Sequence, residues 1–246
     1  MYYLGISLLG LIVCVALYYG YRVFYAAKKP LESVVLKTGA QQQSGLLVLL
    51  PGISDSAQDY LQNGFVDELS ARGIALDVRY VDARLNYYLA MTVVQRLRED
   101  IIRPALARGY KQIWLAGVSM GGFGSLLYAR QYPQEVAGVL ALAPYLGKER
   151  IIRKIVAGQG DPLADTRYRR TYQLWQWFGR YAQTPDLQPP LYLAYGNGDK
   201  FAEMNAYLAE RLPGSHSLHI EGRHNWLTWK KLWVQLLDRG VFARPN

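Results

Sequence analysis

Short, continuous apolar runs alternate with stretches of helical spacing along most of this chain, and that alternation limits the fold more than any other feature. "GLLVLL" covers 45–50 and ends at Pro51-Gly52. "IALDVRYV" (74–81), "QIWLAGVS" (112–119), "VAGVLALAP" (136–144), "LYLAYG" (191–196) and "SLHIEG" (217–222) follow. Runs without polar alternation fit strands buried on both faces, as in a parallel sheet covered by helices. Helical spacing marks 87–109, 122–132, 201–212 and 226–238, with Gly109 and Pro133 as stops. The pattern predicts one α/β domain over 31–246, a mostly parallel central sheet with helices on both faces. A chain of 246 residues, 51% hydrophobic, has the length and the apolar material for one large domain.

Residues 148–189 interrupt the rhythm, since about forty residues between two strands exceed a plain crossover. The segment is basic and rich in aromatics. It is expected to form a lid insertion, with Trp175 and Trp177 shaping a substrate pocket. An ordinary crossover helix with a decorated surface is the alternative.

The N-terminus carries no charge from Met1 to Tyr21, and tyrosines cluster at both ends of that run. A helix of this length spans a hydrocarbon core of ~30 Å. Residues 1–27 are therefore expected to be an uncleaved transmembrane anchor in contact with membrane lipids. A signal peptide would carry positive charge before its apolar region, and this run carries none. Arg22, Lys28 and Lys29 after the span favour the cytoplasmic face.

The formal net charge is +9. With no nucleic-acid-binding motif and no basic stripe interleaved with aromatics, nucleic acid is not an expected partner. Cys14 is the single cysteine, the three histidines are scattered, and H-E-x-x-H, dinucleotide and P-loop patterns are missing. No metal and no organic cofactor are expected.

Three apolar runs end beside a group able to do chemistry. Ser119 ends its run inside "GVSMGG" (117–122), Asp199 follows in "YGNGDKF" and His224 follows in "EGRHNW". In a parallel α/β sheet, reacting groups gather at the carboxyl ends of the strands. A serine hydroxyl needs a base to take its proton, imidazole has the right basicity, and a carboxylate fixes the imidazole tautomer. Glycines around Ser119 let a strained strand-to-helix turn form and present the hydroxyl. His216 and His219 compete with His224, but neither lies in the loop after the strand. Asp161 and Asp186 compete with Asp199, but neither follows a strand. Asp55, three residues before Gln58, is expected to cap a helix.

With "GVSMGGFG" and the chain order Ser, Asp, His, the sequence resembles an α/β-hydrolase-fold serine hydrolase of the esterase type over about 45–240. The resemblance implies an oxyanion hole of two backbone N–H groups. One is that of Met120, after the nucleophile, and the other that of Ile53 in "LLPGISD". Many relatives have His-Gly where this chain has Pro51-Gly52. The expected activity is hydrolysis of a small-molecule or lipid-derived carboxylic ester or thioester through an acyl-enzyme on Ser119. Amide or peptide hydrolysis, acyl transfer on the same fold, or a non-catalytic membrane-attached binding module are the alternatives.

Overall fold

The computed structural model describes residues 2–36, 42–159, 168–184 and 188–242, with the backbone alone at 2–9 and 22–24. Helix α1 spans Tyr2–Ala26 and precedes the sheet-forming part of the chain. Strands β1 (Ser33–Leu36), β2 (Gly45–Leu50), β3 (Leu76–Val81), β4 (Gln112–Val118), β5 (Gly138–Leu142), β6 (Leu191–Gly196) and β7 (Ser217–Ile220) form one sheet in the order β1-β3-β2-β4-β5-β6-β7. Only β1 pairs antiparallel; every other neighbouring pair is parallel. All six residues of β2 and all five of β5 are buried, as strands covered on both faces must be.

Helices α2 (Ala57–Gln62) and α3 (Phe65–Ala71) join β2 to β3. Between β3 and β4 the expected single helix over 87–109 is broken into α4 (Leu85–Leu89), α5 (Val93–Arg96), a π-helical turn (Leu97–Ile102) and α6 (Arg103–Ala107). Met91, with φ 61°, separates α4 from α5, and Pro104 has no N–H for the carbonyl four residues back, so the helix widens before it. Helix α7 (Met120–Gln131) follows β4, α8 (Glu149–Val156) and α9 (Arg169–Gln183) join β5 to β6, α10 (Ala202–Ala209) joins β6 to β7, and α11 (Trp226–Asp238) comes last.

The strand order changes direction between β2 and β4, because the chain moves from β2 to β3 on one side and then to β4 on the other. At such a switch point the two following loops diverge and leave a crevice at the carboxyl ends of the strands. Leu50 pairs with Gly117 at that end, so the "PGISD" loop and the serine turn leave the sheet side by side.

One expectation is corrected here. Among the described residues no helix is long and apolar enough to cross a membrane. The transmembrane anchor over 1–27 is therefore not supported, and membrane localisation and membrane lipids as partners fall with it. The chain after α1 is instead tied to the domain: the Thr92 hydroxyl donates to the Ala27 carbonyl (3.0 Å) and the Leu31 N–H donates to Asp100 (2.9 Å). The segment 148–189 is described in part. Its described residues form two helices, and α9 buries Thr171, Tyr172, Leu174, Trp175, Trp177, Phe178 and Tyr181. That face packs α9 against the core.

Candidate active site

Ser119 sits between β4 and α7 with φ 53° and ψ −114°, a region that side-chain-bearing residues rarely occupy. Such a conformation costs on the order of 1–3 kcal/mol and persists only where its surroundings enforce it. The enforcement is visible. The Ser119 N–H donates to the Leu142 carbonyl (2.9 Å), and the Ser119 carbonyl accepts from Tyr145 (3.0 Å) and Phe123 (3.2 Å). A β-carbon on Gly117 would lie 2.3 Å from the Gly121 backbone, and one on Gly121 would lie 2.6 Å from the Pro51 carbonyl oxygen. Both flanking glycines are thus required by backbone contact across the turn.

His224 lies in the loop between β7 and α11. Its Nε2 is 3.0 Å from Ser119 Oγ, and its Nδ1 is 2.7 Å from Asp199 Oδ2. The Asp199 side chain is fully buried, and its other oxygen accepts from the Phe201 N–H (2.8 Å). The ring is held edge-on between Phe201 (5.0 Å between centroids) and Trp229 (4.9 Å). Below it, Asn225 caps α11 by accepting from the Thr228 N–H (3.0 Å), while the Thr228 hydroxyl accepts from the Arg223 N–H (3.1 Å). The cap therefore fixes the loop that carries the imidazole. A hydroxyl, an imidazole and a desolvated carboxylate in line can move a proton from Oγ to Nε2 while Nδ1–H stays bonded to the acid.

The "PGISD" loop runs beside the hydroxyl: a β-carbon on Gly52 would lie 3.6 Å from Ser119 Cβ. Ile53, next along, is exposed. Met120 is the first residue of α7, where backbone N–H groups lack an intrahelical partner and the helix dipole favours negative charge.

Asp55 does not cap a helix. Ser56 is the cap residue of α2, and its N–H and hydroxyl both donate to Asp59 (2.7 and 2.9 Å). The Asp55 carboxylate instead folds back over Gly52 and accepts from the Trp226 indole N–H (3.2 Å). Burial raises its pKa above the ordinary carboxylate value, opposed by the Trp226 bond.

The remaining expected residues fall elsewhere. Trp175 and Trp177 are each 3% exposed. Their indole N–H groups donate to the Leu146 carbonyl (3.2 Å) and to Gln188 (3.0 Å), so both pack the core and offer no surface to a substrate. The aromatics beside the turn are Phe123, Tyr145 and Phe201, in edge-to-face contact at 5.6 Å in each step. Sequence reasoning missed them; Phe123 and Tyr145 flank the serine turn, and Phe201 follows Asp199 by two residues. His216 immediately precedes β7, at the opposite end of the sheet, and His219 bonds Asn197 (3.0 Å). Asp161 and Asp186 lie outside the described residues.

Known proteins agree with this architecture. The sequence matches the family described as "Putative esterase" over residues 85–239. No curated protein matches the sequence. Among solved structures, an S-formylglutathione hydrolase from Staphylococcus aureus is similar at 14% identity, with a TM-score of 0.60, covering 85% of this chain and 89% of its own. A ferulic acid esterase is similar at 16% identity and a TM-score of 0.61, with 87% and 99% covered. A monoacylglycerol lipase from Paleococcus ferrophilus is similar at 18% identity and a TM-score of 0.55, with 85% and 98% covered. These structures share the fold, and the family match spans more than half of the chain. The chain belongs to this esterase family and is a hydrolase of the esterase type on the α/β-hydrolase fold.

Proposed function

We propose that the chain hydrolyses a carboxylic ester or thioester through an acyl-enzyme on Ser119. The observation that supports this reading is one imidazole bonded on one side to Ser119 and on the other to Asp199. His224 Nε2 takes the Oγ proton as the hydroxyl oxygen attacks the carbonyl carbon, and Asp199 holds the Nδ1 proton and stabilises the imidazolium. The developing oxyanion is met by the backbone N–H groups of Met120 and Ile53. Collapse breaks the bond to the alcohol or thiol, which leaves with the proton from Nε2. Water, deprotonated by the same nitrogen, then attacks the acyl-enzyme and releases the acid. The half-buried rings of Phe123 and Tyr145, whose N–H groups bond the Ser119 carbonyl, and of Phe201, which packs on His224, suit an uncharged acyl or alcohol group of a small-molecule or lipid ester. Relatives of this fold are named for S-formylglutathione, ferulic acid and monoacylglycerol, so the fold alone selects none of them.

A fluorophosphonate probe and a series of p-nitrophenyl esters of increasing chain length test the reading. The protein should be labelled once per chain and should turn over at least the short esters, and Ser119→Ala should lose both. Labelling or turnover that survives in folded Ser119→Ala would sink it.

A further inference from the structure

Away from Ser119, a cavity of about 220 Å³ opens between α5, α7 and α9, lined by Val94, Leu127, Arg130, Gln131, Arg170 and Gln173. Its polar wall holds two guanidiniums, which only donate, and two carboxamides, of which Gln131 directs its NH2 to the Tyr132 hydroxyl (3.0 Å). Arg170 directs one N–H to the Met91 carbonyl (2.9 Å), while the Nε of Arg130 is buried without a partner. Among the described residues neither guanidinium is paired with a carboxylate. Burial and a neighbouring guanidinium push both side chains the same way: Arg130 opposes the charge on Arg170, and Arg180 opposes that on Arg130. Arginine nevertheless stays charged in such surroundings, so among the described residues the wall carries two cations with no carboxylate beside them.

The local helices make one of these cations easy to explain and the other hard. Arg130 lies in the last turn of α7, where the helix dipole welcomes positive charge. Arg170 lies in the first turn of α9, a helix of fifteen residues, where the dipole is already positive. A side chain held there, half-buried and facing another guanidinium, raises the free energy of the empty protein. A bound anion reverses the sign of each of these terms.

We propose that this cavity binds a phosphate-type oxyanion between Arg130 and Arg170, either free orthophosphate or the phosphate of a phosphomonoester. A dianion balances the two cations, and a tetrahedral oxyanion offers acceptors to both guanidinium forks and to Gln131 and Gln173 at once. The volume is below the range of drug-sized ligand sites, about 300–1,000 Å³, which fits a small anion.

The test uses the full chain in a buffer free of phosphate and sulfate, at constant ionic strength. Calorimetric titration with orthophosphate and, separately, with glycerol 3-phosphate should give saturable binding with one site per chain and a matching rise in Tm. Arg170→Gln and Arg130→Gln should each weaken binding about tenfold or more, because each removes a charge-assisted bond. Both variants should fold with a Tm at or above that of the unmodified protein without anion, since each relieves repulsion. Tighter binding of glycerol 3-phosphate assigns the site to a phosphomonoester, and tighter binding of orthophosphate assigns it to the free ion. No saturable binding of either, or binding undiminished in the Arg130→Gln/Arg170→Gln double variant, overturns the proposal. Ester hydrolysis is not read in this experiment, so it stands or falls independently of the reaction at Ser119.

Discussion

A β-carbon on Gly121 would lie 2.0 Å from the carbonyl oxygen of Leu50. The first turn of α7 and the end of β2 therefore touch backbone to backbone, and this contact sets the spacing between Ser119 and the "PGISD" loop. Gly121→Ala should force the two apart. The expected loss is about 3 kcal/mol or more, from overpacking against main chain that cannot repack. Urea unfolding measures that loss and fluorophosphonate labelling the damage to the turn. A variant with wild-type stability and labelling would mean that the contact is not enforced.

Removing either reacting group should abolish the proposed hydrolysis. Ser119→Ala and His224→Ala should each lower kcat by on the order of 10⁴ to 10⁶. Asp199→Asn should cost about 10⁴, because the carboxamide leaves the imidazole in the wrong tautomer. Circular dichroism should show all three folded, and steady-state rates on a short p-nitrophenyl ester check the losses. An Asp199→Asn protein within tenfold of wild type would reassign the acid.

Asp55 gives a pH-dependent prediction for stability. Its pKa is raised in the folded state above the ordinary value of 3.8, chiefly by burial. A carboxyl raised in this way contributes stability fully present below its unfolded pKa and lost as pH rises through the folded one. At pH 7 the buried carboxylate therefore opposes folding, and Asp55→Asn, which still accepts from Trp226, should unfold at higher urea than wild type. The gap should close below about pH 4. A variant less stable than wild type at pH 7 would show that the Trp226 bond outweighs the burial.

The aromatic residues should divide into two classes. Trp175→Ala and Trp177→Ala should each cost about 3–5 kcal/mol in stability, as for buried large-to-small changes, and leave the chain-length preference of the remaining folded enzyme unchanged. Phe123→Ala and Tyr145→Ala should alter the ratio of kcat/KM between short and long esters with a smaller loss of stability. A changed preference in the tryptophan variants alone would reverse that assignment.

Much of the site was legible because its residues follow strands. Ser119, Asp199 and His224 each stand just beyond an apolar run, and parallel strands bring such positions to one rim whatever lies between them. The misreadings have specific causes. Ser33–Leu36 escaped notice because a four-residue edge strand leaves no long apolar run. Asp55 was taken for a cap because Asp55–Gln58 and Ser56–Asp59 carry the same spacing one residue apart, and only the Trp226 contact, 171 residues distant, separates them. Trp175 and Trp177 looked like pocket residues because composition does not tell which face of a helix meets the core. The uncharged N-terminal run has the length of a span, yet among the described residues no helix is long and apolar enough to cross a membrane.

The bond between Ser119 and His224 joins residues 105 positions apart, and Trp226 reaches back further still to Asp55. At roughly 5–20 residues per second of synthesis, the nucleophile leaves the ribosome about 5–20 seconds before its base exists. During that interval the growing chain holds a serine with no means of losing its proton. A ribosome that stalls anywhere before His224 therefore carries a chain without the proposed activity, and hydrolysis begins only once His224 has been made and folded against Ser119.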